Sequence, residues 1–198
     1  MNNLDTLREW FPWPAESPGL PEDFFGWLGD DTQKMLRRQI PGDAKLIVEV
    51  GSWLGKSARF ILRLAPQATL VCIDTWLGSS EHYRAPVARH WLPTLHKQFL
   101  SNLWQYRERV VPVRATSSVG LDVLRLLDIR PDSFYIDGSH EAVDVRRDIG
   151  LAAALNPAAA IVGDDWKWPT VRQGVQAAMK ALPGERSRQN NSNSWAIV

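Results

Sequence analysis

The chain is expected to fold as an α/β protein: a doubly wound, mostly parallel sheet with helices on both faces. Three observations lead there. Short apolar, β-branched runs recur along the sequence, and longer helix-competent segments separate them. Residues 47–57, Ile-Val-Glu-Val-Gly-Ser-Trp-Leu-Gly-Lys-Ser, join the first run to a helix through a glycine-spaced turn. That is the strand–loop–helix in which a nucleotide-like ligand meets backbone N–H groups and a helix N-terminus. Finally, acids collect where the apolar runs end, the edge at which open α/β sheets bind ligands.

Taken in order, the first twenty residues hold Phe11-Pro12-Trp13-Pro14 and Ser17-Pro18-Gly19, so no regular helix can run through them. They read as an arm whose aromatics pack on the domain or on a neighbouring subunit. Residues 22–39 read as a helix stopped by Pro41-Gly42. Strands are expected at 45–50, 69–73, 109–113, 133–137 and 159–163, and helices at 57–64, 85–106, 118–127, 142–155 and 170–182. Residues 186–189 and 194–198, about the polar Asn190-Asn191-Ser192-Asn193, read as a final antiparallel hairpin. Residues 1–43 then form an N-terminal arm and helix, and residues 44–198 the main domain.

Composition narrows the function classes. A chain of 198 residues with 44% hydrophobic and 23% charged content suits one globular domain with a substantial core. A net charge of +1 argues for neither a nucleic-acid nor a membrane partner. Cys72 is the lone cysteine and sits in an apolar run, so a buried small hydrophobe is expected rather than a disulfide or a cysteine zinc site. No stretch approaches a membrane span, Met1-Asn2-Asn3-Leu4-Asp5 lacks the start of a signal peptide, and cytoplasmic residence is expected by default. Tryptophan is over-used: ten in all, with Trp10, Trp13, Trp27, Trp53 and Trp76 in the first 76 residues.

The glycine loop is neither of two better-known kinds. A P-loop needs four residues between its first glycine and the Gly-Lys, and Gly51 and Gly55 enclose only three, so Gly55-Lys56-Ser57 is a decoy. In the dinucleotide fingerprint the second glycine admits the pyrophosphate, and Trp53 stands there instead. Glu49 beside the loop would repel a pyrophosphate and suits a ribose hydroxyl or a cationic ligand. An ordinary glycine turn is the plain alternative.

Asp74 follows the second strand. Asp137 ends the fourth, in Ile136-Asp137-Gly138-Ser139-His140, and Asp164 and Asp165 follow the fifth, in Gly163-Asp164-Asp165-Trp166. Together with the glycine loop and Ala115-Thr116-Ser117 after the third strand, this pattern resembles the class I S-adenosylmethionine-dependent methyltransferases. The Asp137 and Asp164-Asp165 elements resemble the small metal-dependent O-methyltransferases of the catechol and macrocin type. The resemblance spans residues 45–198. It implies a Rossmann-like seven-stranded sheet of order 3-2-1-4-5-7-6, and methyl transfer to the hydroxyl oxygen of a small sugar or phenolic molecule.

The roles that the resemblance implies are these. Glu49, Gly51, Ser52, Gly55 and Ser57 shape the pocket for the methionine part of S-adenosylmethionine. Asp74 and Thr75 meet the ribose, and Thr116 and Ser117 the adenine edge, although helix capping serves the Thr-Ser pair equally well. Asp137, also a cofactor contact, joins Asp164 and Asp165 around Mg²⁺ or Mn²⁺, since three converging carboxylates repel one another and all-oxygen ligation suits a hard cation. Helix capping by Asp165, or its pairing with Lys167, is the alternative. His140 stands where the catechol-type enzymes carry a lysine base. A near-neutral imidazole suits proton abstraction from a hydroxyl, and a helix-start histidine is the alternative.

About 35 residues separate the second and third strands. Trp76, His82 and Tyr83 there, with Trp166, are candidate substrate contacts, and Arg84 is a possible partner for an acidic substrate. Trp91, Leu95, Phe99 and Leu103 recur at helical spacing and are expected to face the core. Two other readings stand beside metal-assisted transfer. One is a metal-independent methyltransferase. The other is a non-catalytic binding or assembly module in which the arm straps a homodimer.

Overall fold

Strand positions show a burial period of two on both faces of a central sheet. The computed structural model describes residues 3–21, 25–184 and 186–198. Val48 and Val50 enter one apolar cluster together with Val71, Ile73, Phe134 and Ile136. Their neighbours Ile47, Leu70, Cys72 and Tyr135 enter the other. Successive side chains of a strand point to opposite faces, so near-continuous apolar runs require cover on both sides. Helices α7 (Ser117–Leu126), α8 (Ala142–Leu155) and α9 (Pro169–Ala181) supply it on the first face. Helices α2 (Asp30–Gln39), α3 (Lys56–Leu64) and α6 (Leu95–Leu103) supply it on the second.

The sheet has seven strands in the order β3-β2-β1-β4-β5-β7-β6. Strands β1 (Leu46–Val50), β2 (Thr69–Asp74), β3 (Val110–Arg114), β4 (Ser133–Ile136) and β5 (Ala160–Gly163) pair in parallel. The terminal hairpin, β6 (Arg188–Asn190) and β7 (Trp195–Ile197), adds antiparallel to β5. Strand order reverses between β1 and β4. The carboxyl ends of these two strands therefore open a crevice, the place where such sheets take ligands.

The arm closes the other edge. Helix α1 (Asn3–Trp10) buries Leu7 in the first cluster, while Trp13 packs on the second, so the arm crosses the exposed side of β3. The Trp13 indole donates to the Val110 carbonyl at 2.8 Å, and Pro112 offers no N–H there. Covering and proline are both ways of blunting a sheet edge. The Leu20 N–H then donates to Ser101 Oγ, and the chain goes on to residues 25–29 beside the crevice of its own subunit.

Two expectations need correction. The helix read at 22–39 starts only at Asp30; residues 25–29 are irregular, and residues 22–24 lie outside those described. The helix read at 85–106 is broken into α5 (Pro86–Trp91) and α6, with 3₁₀ turns at Leu92–Thr94 and Trp104–Arg109, and a short helix that the sequence reading did not include, α4 (Ser80–Arg84), precedes it. Pro93 is the physical cause of the central break, because it lacks the N–H of a helical turn and its ring crowds the preceding carbonyl. Leu95, Phe99 and Leu103 are fully buried, as their spacing implies.

Candidate active site

The loop that follows β1 owes its shape to two glycines. Gly51 has φ +87°, and a Cβ there would lie 2.1 Å from the Asp137 carbonyl oxygen. The ends of β1 and β4 can approach this closely only over a residue with no side chain. Gly55, at φ +92°, forms the N-cap of α3 and packs against Leu103. Between them Trp53 also takes a left-handed conformation, φ 48°. Its N–H donates to Asp74 Oδ2 at 2.8 Å, and the Trp76 N–H donates to Asp74 Oδ1 at 2.7 Å. Asp74 therefore pins the loop from the end of β2 while lining the crevice. Burial pushes its pKa up against these hydrogen bonds.

The crevice has a volume of about 620 Å³, within the range of small-molecule and cofactor sites. Gly51, Ser52, Ser57, Asp74, Thr75, Thr116, Ser117, Asp137, Asp164, Asp165, His82 and His140 all line it. A second groove of about 550 Å³, between α8 and α9, has none of these residues. Glu49 lies beneath the loop rather than on the wall. It is wholly buried beside Cys72, with one oxygen unpartnered, and burial lifts its pKa to about 7. Gly55 likewise shapes the loop from behind. Thr116 caps α7 by accepting from the Val119 N–H, and the Ser117 hydroxyl donates to Asp148 at 2.7 Å.

The acids converge at the floor. Ligand atoms of Asp137, His140 and Asp165 lie within 4.8 Å of one another. His140 Nε2 is 2.7 Å from Asp165 and its Nδ1 is 3.0 Å from Glu81. Burial alone would lower its pKa, but the hydrogen bond and charge of Asp165, with those of Glu81, raise it to about 9. Asp137 accepts from the Tyr135 hydroxyl at 3.0 Å. Burial, then the charges of Asp164 and Asp165, pushes the Asp137 carboxyl well up. One imidazole thus stands among Asp137, Asp165 and Glu81, an arrangement that a cation would relieve. Asp165 aims its carboxylate from a left-handed turn, φ 58°.

Asp164 is placed differently from the sequence expectation. Its Oδ1 accepts from the Thr32 hydroxyl (2.7 Å), the Asn193 amide (2.7 Å) and the Asp165 N–H (2.9 Å). It ties α2 and the terminal hairpin to the site and stands outside the three-residue cluster.

The aromatic expectations divide. Trp76 is 2% exposed, packed against Phe99 and His96 with its indole N–H on the Trp53 carbonyl, so it belongs to the core and not to a lid. Trp166 packs on the first cluster beneath Arg188, and Tyr83 points outward at 56% exposure; neither lines the crevice. His82 does, stacked on Trp53 at 4.0 Å. Trp27, 54% exposed, also stacks on Trp53, with ring centroids 5.9 Å apart, and Trp168, 40% exposed, covers His140 at 4.4 Å. Sequence reasoning missed Trp27, Trp168, Glu81, Thr32 and Asn193. Each arrives by a long-range contact, and none carries a local motif.

A sequence family described as a methyltransferase domain matches residues 48–166. No curated protein matches the chain. Among solved structures, it is similar to cofactor-bound Rv0187 from MTB: 19% identity over 99% of this chain and 88% of that one, TM-score 0.61. It is also similar to the O-methyltransferase from Bacillus cereus in complex with SAH: 19% identity, 98% and 96% covered, TM-score 0.57. A third is the O-methyltransferase TomG from Streptomyces achromogenes, involved in tomaymycin synthesis and solved with SAM: 17% identity, 100% and 88% covered, TM-score 0.58. With the strand order, the glycine loop and the acid-lined crevice, the family match shows that this chain belongs to the class I S-adenosylmethionine-dependent methyltransferases.

Proposed function

We propose that the protein methylates a hydroxyl oxygen of a small sugar-like or phenolic molecule, assisted by a divalent cation. The observation that carries this reading is the convergence of Asp137, His140 and Asp165 within 4.8 Å, on the crevice that the glycine loop lines. S-adenosylmethionine supplies an electrophilic methyl group, so the protein's tasks are to position the acceptor and to make its oxygen a better nucleophile. Asp137 and Asp165, with His140 beside them, would hold the cation. Mg²⁺ or Mn²⁺ there would lower the pKa of a bound hydroxyl.

The chain's own residues do the rest. Gly51, Ser52 and Ser57 would hold the methionine part of the cofactor, with Asp74 and Thr75 at its ribose and Thr116 and Ser117 at its adenine. Glu49 acts from beneath, through the loop. A cation held by Asp137 and Asp165 would displace the proton that these carboxylates otherwise keep on His140, leaving its imidazole free to take the acceptor's proton, and Trp168 packs over it. His82 and Trp27 offer flat apolar faces against which a ring can stack.

One observation favours a metal-independent variant of the same chemistry. His140 already stands between Glu81 and Asp165, so an imidazolium can fill a cation's electrostatic place. A panel of hydroxylated acceptors, incubated with S-adenosylmethionine and followed by mass spectrometry, separates the two. The proposal expects a product 14 Da heavier (one CH₂), lost in EDTA and restored by Mg²⁺. Turnover unaffected by EDTA would favour the imidazolium reading instead.

A further inference from the structure

Helix α4 has five residues and buries none of them, yet it stands at the crevice wall. Two side chains fasten it. His82 Nδ1 accepts from the Ser79 N–H at 3.0 Å, and its ring stacks on Trp53, so its imidazole is committed to the glycine-loop side. Glu81 reaches across to the loop after β4, where its Oε2 lies 3.0 Å from His140 Nδ1. The other imidazole nitrogen faces Asp165 at 2.7 Å. An imidazole gripped at Nδ1 has a single free choice, which is where Nε2 points. An outer carboxylate on a histidine's far nitrogen fixes ring orientation in this way at metal sites.

Resting on the functional reading above, we propose that Glu81 is a positioning residue: it turns His140 so that Nε2 faces Asp165 and Asp137, and it ties α4 over the crevice. The same contact then does two jobs. It orders the acceptor side of the site, and it couples the segment between β2 and β3 to the acidic floor. Glu81 touches His140 and not the reacting atoms. Its carboxylate is the only one on α4, a helix whose other charged group is Arg84.

The test compares wild type, Glu81→Ala and Glu81→Gln as full chains. The amide oxygen of Gln can still accept from Nδ1–H, so it keeps the grip without the charge. Hydrogen exchange over residues 79–85 reads the tie without metal or turnover. Mn²⁺ titration by electron paramagnetic resonance reads the orientation of the ligands. In Glu81→Ala, exchange is expected to quicken about tenfold and Mn²⁺ affinity to fall about 10–100-fold. Glu81→Gln should restore both to within a few-fold of wild type. Exchange over α4 unchanged in Glu81→Ala overturns the tie, and Mn²⁺ affinity equal to that of wild type overturns the positioning. A Gln variant as impaired as the Ala variant does the same to the grip. Wild type that binds no SAH calorimetrically would count against the functional reading itself, while the exchange comparison still decides the α4 contact.

Discussion

Glu49 shows how a single side chain serves the site without entering it. Its carboxyl is fully buried beneath the glycine loop beside Cys72, and desolvation raises its pKa from the ordinary 4.5 to about 7. The folded chain therefore keeps a proton that the unfolded chain releases between these values. Ionisation opposes folding, so this group's contribution is fully present below pH 4.5 and is lost as pH rises through 7. The cost is about 3 kcal/mol, from 1.36 kcal/mol per unit of pKa. Glu49→Gln removes the proton exchange. Thermal melts at pH 5 and pH 8 should show wild type losing stability relative to Glu49→Gln at the higher pH; parallel pH profiles would contradict the account. Comparison with the variant matters because Asp148, raised by burial to about 6, titrates in the same window in both proteins. At this scale the sequence was legible where a residue type and a strand end coincide, as at Asp74, Asp137 and Asp165. It was not legible where burial decides. Trp76 and Trp27 look alike in the sequence, and tertiary packing sends one into the core and the other to the crevice.

At the level of elements, alternation of strand and helix placed the five parallel strands to within one residue at every end, because two-sided burial leaves an unbroken apolar run, and the polar turn placed the two hairpin strands to within two. Pro93 broke the long helix for a reason the sequence states openly, the missing N–H. The terminal hairpin depends on a close fit. A Cβ on Gly163 in β5 would sit 2.1 Å from the Trp195 ring of β7, which is 1% exposed. Gly163→Ala forces that indole to move, and urea denaturation should show a loss of about 1–3 kcal/mol, the range of core overpacking. The shift would carry into the site, because Trp195 donates to the Asp164 carbonyl and Asn193 donates to its side chain. An unchanged midpoint would mean that the hairpin is looser than its packing implies. That coupling could not be read from the sequence, since it spans about thirty residues with no motif to mark it.

The whole molecule gathers its chemistry at one edge of the sheet. Strand order reverses at β1 and β4, the glycine loop and Asp74 occupy one side of the crevice, and Asp137, His140 and Asp165 occupy the other. The N-terminal arm, which the sequence left free to serve its own site or a neighbour's, crosses β3 and brings Trp27 to its own crevice. Among the described residues no helix is long and apolar enough to cross a membrane. Calorimetric titration of SAH into wild type and Asp74→Asn tests the central claim, that this crevice holds S-adenosylmethionine, most directly. The account predicts one-to-one binding in the micromolar range, weakened at least about tenfold by Asp74→Asn, a loss of about 1.4 kcal/mol. No binding to wild type, or equal binding to both proteins, would contradict it.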